Sequence, residues 1–178
     1  MREVWHVWGM TLRAPHISDA SSIAAISIEV WIGTYLKQGV RAFFADYALN
    51  EFTYRKTEML ISDPNQFILV SENEDGIDGF IRLSTGSEAP VSGCSEIEIS
   101  TLYVQPRHHG KGIGRRLLDA AIKYASEKEA GSVWLTTNAE NSPAIAFYLA
   151  QGFEYVGQTH FRIEDTAYLN NVYSYHLA

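Results

Sequence analysis

The residues best suited to chemistry lie in one short stretch, 98–118, whose sequence is EISTLYVQPRHHGKGIGRRLL. Gly110, Gly112 and Gly114 lack a Cβ, so the backbone N–H groups of this stretch can approach an anion closely. Unpaired amides and the dipole at a helix N-terminus also favour anions. Four basic residues add positive charge to the same segment: Arg107, Lys111, Arg115 and Arg116. The pattern therefore indicates a site for a phosphorylated ligand that needs no metal.

Two common phosphate-binding motifs do not match this stretch. A Walker A loop requires Ser or Thr directly after its Gly-Lys pair, but Gly112 follows Lys111. A dinucleotide fingerprint requires G-x-G-x-x-G and an acidic residue at the end of the next strand. Here the glycines are spaced G-x-G-x-G, and the next predicted strand ends in Asn138. Kinase, P-loop and dinucleotide-binding functions are therefore excluded.

The remaining match is to a family motif. Residues 109–114, HGKGIG, resemble the Q/R-x-x-G-x-G/A motif of the GNAT superfamily of acetyl-CoA-dependent N-acetyltransferases. His109 stands where that family usually has Gln or Arg, and we expect this position to contribute mainly its backbone amide. A second segment, 141–153, NSPAIAFYLAQGF, resembles the family pattern N-x-x-A-x-x-F-Y-x-x-x-G-F. We expect Ser142 to cap the helix of this second segment, since Pro143 suits its first position.

These motifs need strands and helices that hold them in place. Periodicity and turn signals predict strands at 11–14, 66–72, 77–84, 98–104, 132–137, 154–160 and 171–177. They predict helices at 19–35 and 50–61, one that opens at the glycine-rich turn, and one that follows Asn141. This order is similar to that of the GNAT superfamily across essentially the whole chain. The resemblance implies an α/β (α+β) fold, with a mixed, mostly antiparallel sheet of about seven strands flanked by about four helices.

Length and composition fit one such domain. The chain has 178 residues, 46% of them hydrophobic, which is enough to bury a core as a single domain over 1–178. Cys94 is the sole cysteine, so no internal disulfide can form. Neither the N-terminus nor any later segment is apolar over the length of a signal peptide or a membrane span. We therefore expect a cytoplasmic protein that does not bind a membrane.

The resemblance also implies which residues meet acetyl-CoA. The sheet would splay after the strand 98–104, with the pantetheine arm in the gap and the diphosphate on the glycine-rich turn. The residues so implied are Leu102, Tyr103, Val104, His109, Gly110, Lys111, Gly112, Ile113, Gly114, Arg115, Asn141 and Tyr148.

Three residues are candidates for the chemistry of acetyl transfer. An aliphatic amine is protonated near neutral pH, so a base or a water chain must remove a proton before the nitrogen attacks the thioester. Glu98 matches the glutamate that serves as base in several members of the family, while Glu96 has the same strand parity and could exchange roles with it. By resemblance, the Leu102 N–H stabilises the developing oxyanion and Tyr148 donates to the leaving thiolate. Transfer would then be direct, in a ternary complex.

The acceptor is predicted to be the primary amine of a small cationic molecule, since the chain carries a net charge of −7. Segments near Trp31 and after Gly152 resemble bacterial Pai-type spermidine/spermine N-acetyltransferases, which implies a polyamine. Trp31, Tyr35 and His160 are candidates to line the acceptor pocket, although core packing explains either aromatic residue as well. Acetylation of a peptide or protein amine, and a non-catalytic acetyl-CoA sensor, are the alternatives.

Charge, motifs and the family resemblance also bear on three other partners: nucleic acid, a metal ion and a second copy of the chain. An acidic chain, pI about 5.3, is a poor nucleic-acid binder. The six histidines have no H-E-x-x-H spacing and there is no cysteine pair, so no metal is expected. The resemblance adds a homodimer as an expectation.

Overall fold

A computed structural model describes residues 5–7 and 10–177 of the chain. Part of the N-terminal segment that the signal-peptide argument used, residues 1–4 and 8–9, lies outside this description. Among the described residues, no helix combines the length and the apolar character that a membrane span requires.

Eight strands and five α-helices alternate along the described chain. The strands are β1 Trp5–Val7, β2 Met10–Arg13, β3 Gln66–Asn73, β4 Gly76–Thr85, β5 Ile97–Val104, β6 Ser132–Asn138, β7 Glu154–Ile163 and β8 Thr166–His176. The helices are α1 Ala20–Tyr35, α2 Ala42–Glu51, α3 Tyr54–Ser62, α4 Ile113–Glu127 and α5 Ser142–Ala150. Short 3-10 turns occupy Ile17–Asp19 and Pro106–His108.

The strands form a mixed sheet in the order β1-β2-β3-β4-β5-β6-β8-β7. The pairs β1–β2, β2–β3, β6–β8 and β7–β8 are antiparallel, and β5 runs parallel to β6. The predicted mixed α/β class is therefore confirmed. The described part of the chain has one strand and one helix more than the sequence indicated, because β1 and α2 were not predicted. The expected splay of the sheet stays a prediction.

The helix predicted at 50–61 is wrong in its bounds. The chain instead forms α2 and α3, which are separated at Phe52 and Thr53. The Thr53 hydroxyl oxygen accepts a hydrogen bond from the Lys56 N–H at 3.2 Å, so Thr53 caps α3 and starts a new helix there. Helix α2 escaped prediction because its inward side is largely aromatic, and Ala48 is its single fully buried residue.

Two compact units divide the chain, and we describe each by itself. The first consists of the described residues of Met1–Arg82 together with Thr101–Leu118. Its core joins Ile23 and Ile26 of α1 to Ile68, Val70 and Phe80 of strands β3 and β4. The single domain expected over 1–178 stays a prediction.

An ion network at the N-terminal side of this first unit joins three elements. Arg13 on β2 lies 2.7 Å from the Asp19 carboxylate and 2.8 Å from the Glu72 carboxylate on β3. The Asp19 carboxylate also accepts the His16 N–H at 2.7 Å. Strand β2 is thereby fixed to the start of α1 and to β3.

The second unit consists of Leu83–Ser100 and the described residues of Asp119–Ala178. Its central strand is β6, in which Val133, Trp134 and Leu135 are buried in succession, as expected of a strand covered on both faces. Strands β7 and β8 form a long hairpin with an irregularity between Tyr155 and Gly157.

The loop between β4 and β5 is fixed within this second unit. The Ser87 N–H donates to the Glu96 carbonyl at 3.0 Å, which closes the base of the loop. Near its middle, Val91 packs on the backbone of β7: a Cβ built on Gly157 would lie 2.6 Å from Val91 Cγ1. The loop therefore contacts β7 at a position where only glycine leaves room.

Candidate active site

The glycine-rich turn lies in the first unit, between β5 and α4. Gly110 and Gly112 have φ of 77° and 79°, a left-handed conformation that favours glycine. Apart from the glycine and its two chain neighbours, no atom of the described residues lies within 4 Å of a Cβ built on either one, so conformation rather than crowding requires glycine. The backbone bond from Arg116 N–H to the Gly112 carbonyl, 3.1 Å, marks the first turn of α4. The amides that precede it belong to the helix start, where anions bind.

The side chain of His109 closes this turn onto the preceding strand. Its Nε2 lies 3.0 Å from the carbonyl oxygen of Val104, the last residue of β5. Its own backbone N–H donates to the Pro106 carbonyl at 3.1 Å. The sequence predicted a contribution mainly from the His109 amide, and the structure adds a side-chain contact that the motif did not indicate.

Helix α1 holds the turn from a second side. The Glu29 carboxylate accepts a hydrogen bond from the Gln105 side-chain amide at 2.9 Å, and one of its oxygens lies 3.4 Å from the Arg107 guanidinium. Of the four cations that the sequence placed around the turn, Arg107 is therefore paired with Glu29. Sequence reasoning missed Glu29 and Gln105, since nothing in their spacing shows that two residues so far apart in the chain meet.

Glu98 lies in the second unit, on the part of β5 that pairs with β6. It stands in parallel register with Trp134 and is half-buried, between the buried residues Ile97 and Ile99. Glu96 is exposed, and its carbonyl accepts the bond that closes the β4–β5 loop. The two glutamates of equal strand parity thus differ in burial, and which of them acts as a base stays a prediction.

Asn141 and Tyr148 also lie in the second unit. Asn141, rather than Ser142, is the N-cap of α5, because its side-chain oxygen accepts the Ala144 N–H at 3.4 Å. Tyr148 is 8% exposed and packs against Phe153 at a ring distance of 5.6 Å. Burial raises the pKa of Tyr148 above its ordinary value, so its phenol stays protonated through the neutral range and can donate a proton.

The predicted acceptor residues are divided between the units. In the first, Trp31 is 4% exposed and lies 4.7 Å from Tyr35 and 5.0 Å from Tyr47, measured between ring centroids. Burial, the Glu51 carboxylate and Tyr35 raise the pKa of Tyr47 to about 12. His160 is exposed on β7 of the second unit. Trp31 is thus the buried centre of an aromatic cluster. Tyr35 and Tyr47, which are half-buried, are more accessible to a ligand than Trp31.

The predicted cofactor residues are divided in the same way. In the first unit the structure brings together the end of β5, 102–104, and the turn 109–115. The contact is the bond between the His109 side chain of the turn and the Val104 carbonyl of β5. Glu98, Asn141 and Tyr148 belong to the second unit. The roles predicted for these residues in acyl transfer stay predictions.

Comparison with known proteins shows the family to which the chain belongs. The sequence model of the Acetyltransferase (GNAT) family matches residues 30–153, which include β5, the turn and α5. The chain therefore belongs to the Acetyltransferase (GNAT) family, and the predicted superfamily and enzyme class are confirmed.

Individual relatives agree with this class. The chain is 31% identical over 147 residues to an uncharacterized N-acetyltransferase of Mycobacterium tuberculosis (strain ATCC 25618 / H37Rv), covering 83% of this chain and 90% of that protein. It is 33% identical over 101 residues to streptothricin acetyltransferase of Streptomyces lavendulae, covering 49% of this chain and 53% of that protein.

Solved structures agree with the fold. The PaiA N-acetyltransferase of Thermoplasma acidophilum, in complex with coenzyme A, superposes with a TM-score of 0.73 at 20% identity, over 92% of this chain and 98% of that chain. A nourseothricin acetyltransferase superposes with a TM-score of 0.56 at 28% identity, over 65% and 68% of the two chains. At 20% identity the likeness to PaiA concerns the fold alone.

Proposed function

We propose that this acetyltransferase moves the acetyl group of acetyl-CoA directly to the primary amine of a small, cationic acceptor. The observation that carries the proposal is the β5–α4 turn, where two left-handed glycines precede the first turn of a helix. Such a turn offers backbone N–H groups to a diphosphate. The structures of PaiA with coenzyme A and of the putative acetyltransferase YncA of Salmonella typhimurium with acetyl-CoA support this cosubstrate.

The residues of the first unit suit coenzyme A without rearrangement of the turn. Space is open around Gly110 and Gly112 among the described residues, so neither position obstructs a bulky anion. Lys111 and Arg115 supply positive charge beside the amides. Residues 102–104 offer backbone groups to the pantetheine arm. Asn141, which belongs to the second unit, is a further candidate contact of the cofactor.

Glu98 is the proposed base. Its carboxylate takes a proton from the ammonium form of the acceptor, directly or through water, and the free amine then attacks the thioester carbonyl. The Leu102 N–H donates to the oxygen on which negative charge develops. When the C–S bond breaks, the phenol of Tyr148 protonates the sulfur and coenzyme A leaves as a thiol. The nitrogen, positively charged after its attack, gives its second proton to the Tyr148 phenolate, and Glu98 releases the first proton to solvent. No covalent enzyme intermediate is needed.

The identity of the acceptor is the finer part of the proposal. The net charge of −7 supports a cation, because opposite charge raises the encounter rate. A polyamine fits this requirement, and Trp31, Tyr35 and His160 are its candidate contacts. A second candidate is suggested by the relative named streptothricin acetyltransferase, so streptothricin belongs in the first screen. A peptide amine, a homodimer and a cytoplasmic location also remain predictions.

A turnover assay tests the proposal. Purified protein is supplied with acetyl-CoA and, separately, with polyamines, streptothricin, amino acids and short peptides, and thiol release is followed together with the mass of the product. We expect release that depends on one amine class, with the acceptor heavier by one acetyl group. Saturable binding of acetyl-CoA without acetylation of any amine would instead favour the sensor function.

A further inference from the structure

The contact between His109 and Val104 is the starting point. The imidazole Nε2 and the Val104 carbonyl oxygen are 3.0 Å apart. Since a carbonyl oxygen can only accept, Nε2 carries the hydrogen and donates. The bond spans five residues and joins the end of a regular strand to the residue that precedes the first left-handed glycine.

The His109–Val104 bond lies beside the two glycines of the turn, where backbone flexibility would weaken the binding of a ligand. Gly110 and Gly112 have no side chain, and the space where a Cβ would lie on either one is open among the described residues, so side-chain packing does not hold these two positions. A flexible turn loses conformational entropy when it closes on a ligand, and prior anchoring reduces that loss. The Arg107 side chain is 69% exposed and pairs with Glu29, so it gives the glycines themselves no direct anchor. His109 supplies one.

The acceptor of the bond matters as well. A carbonyl oxygen has two lone pairs, and the imidazole uses one of those on Val104. A carbonyl that accepts from the imidazole can therefore also accept an N–H group of a ligand that lies along the end of β5. One side chain thus fixes, within the first unit, both the carbonyl that would meet an amide N–H and the amides that would meet a diphosphate.

We propose that the His109 side chain is a positioning residue that holds the glycine-rich turn to the end of β5, so that one coenzyme A molecule meets both parts in register. This inference rests on the proposed function, because it assumes that acetyl-CoA is the cosubstrate. The role belongs to the side chain of His109, because the backbone N–H of His109 donates to the Pro106 carbonyl and does not reach β5.

The substitutions that test it differ in donor capacity. His109→Gln keeps a side-chain N–H of similar reach, whereas His109→Ala removes the donor. His109→Met removes the donor but fills the space, and it carries the test if the alanine variant does not fold. His176→Ala is the matched control, since His176 is exposed at the end of β8.

The assay compares two acetyl donors, acetyl-CoA and the short thioester S-acetyl-N-acetylcysteamine, which has no diphosphate. We expect His109→Ala and His109→Met to raise KM for acetyl-CoA about tenfold, with kcat within about twofold, since one hydrogen bond and its pre-ordering are lost. The kcat/KM for the short thioester should fall by no more than about threefold, since this donor has an amide N–H for the end of β5 but no diphosphate for the turn. His109→Gln should stay within about threefold of the wild type for both donors, and His176→Ala should match the wild type.

The outcomes separate this inference from the function on which it rests. If the wild type binds no acetyl-CoA in calorimetry, the proposed function fails. If the wild type binds and the alanine and methionine variants bind equally well, the positioning role alone is overturned. An equal loss with both donors would also overturn it, because the turn would then not be the part affected.

Discussion

Gly79 on β4 lies against the backbone of Tyr103 on β5: a Cβ built on Gly79 would be 2.9 Å from the Tyr103 carbonyl oxygen and 3.2 Å from Val104 Cγ2. The end of β5 can approach β4 this closely only because residue 79 has no side chain. The strand segment proposed to contact pantetheine therefore depends on a glycine outside both family motifs.

The first prediction concerns this contact. Gly79→Ala should lower the free energy of unfolding by about 1–3 kcal/mol, because the extra methyl group displaces backbone. It should also raise KM for acetyl-CoA. Urea titration and steady-state kinetics measure the two effects. Gly131→Ala is the control, since no described atom lies within 4 Å of its Cβ, and its stability should change by less than about 0.5 kcal/mol. Equal stability of the two variants would contradict the close approach.

The turn itself gives a second prediction. Gly112→Ala should cost about 1 kcal/mol of stability, because alanine disfavours a φ of 79°, and it should raise KM for acetyl-CoA. Gly86→Ala carries the same strain, with φ of 75°, but lies in the β4–β5 loop of the second unit. It should lose similar stability and leave KM unchanged. A similar KM increase in both variants would mean that strain in general, rather than the turn, affects the cosubstrate.

Tyr148→Phe tests the proton donor. A tyrosine phenol is protonated at neutral pH, and burial raises the pKa of Tyr148 further, so removal of the hydroxyl takes away a donor that is present. We expect kcat to fall about 100-fold or more and KM for acetyl-CoA to stay within about threefold. Tyr155→Phe, at an exposed tyrosine of β7, is the control and should keep wild-type kcat. An unchanged kcat in Tyr148→Phe would remove Tyr148 from the mechanism.

The identity of the base is tested by a pair of isosteric changes. Glu98→Gln should lower kcat by about 100-fold, because an amide cannot accept the proton of the acceptor. Glu96→Gln should have little effect, since the Glu96 side chain is exposed and its backbone carbonyl, which closes the loop, is retained. Steady-state rates of both variants are compared with that of the wild type. The reverse result would assign the base to Glu96.

The Arg13 network predicts how stability depends on pH. Burial alone would raise the pKa of Asp19, but hydrogen bonds from Arg13 and the His16 N–H outweigh it and lower the pKa. A hydrogen bond from Arg13 lowers the pKa of Glu72. Both carboxylates therefore stabilise the fold above their unfolded pKa values of about 4, and this contribution is lost as pH falls through their lower folded values.

Arg13→Met should thus destabilise the protein by about 2–3 kcal/mol at pH 7 and flatten the loss of stability below about pH 4. Denaturant unfolding at several pH values measures both effects. The control is Lys56→Met, which breaks the exposed pair with Glu51 and should cost less than about 1 kcal/mol. An acid dependence in Arg13→Met as steep as that of the wild type would show that the network is not its source.

Much of the fold followed from local patterns. The strands around the motifs were predicted close to their bounds, because β-branched runs and turn residues delimit them, and glycine spacing marked the start of α4. Helix α2 was missed because its partner is an aromatic cluster around Trp31 rather than an apolar stripe. Its existence depends on tertiary contacts, which periodicity does not record.

The candidate site shows the same limit. The motif gave the amides of the turn, but not the His109 side-chain bond to Val104, since a motif specifies residue types and not what a side chain contacts. It also did not give the Glu29 contact with Gln105, which joins residues 76 positions apart. Likewise, Ser142 was expected to cap α5, but Asn141 does so, because the helix begins one residue earlier than Pro143 suggested.

The packing of Val91 on Gly157 restricts which sequences can carry this loop. Since Val91 Cγ1 occupies the volume that any side chain at 157 would need, the two positions are not free to vary independently. Consider a library that randomises positions 91 and 157. Folded variants with a residue larger than glycine at 157 should mainly be those in which Val91 is replaced by alanine or glycine. The pair would then show as correlated substitutions between a loop and a distant strand.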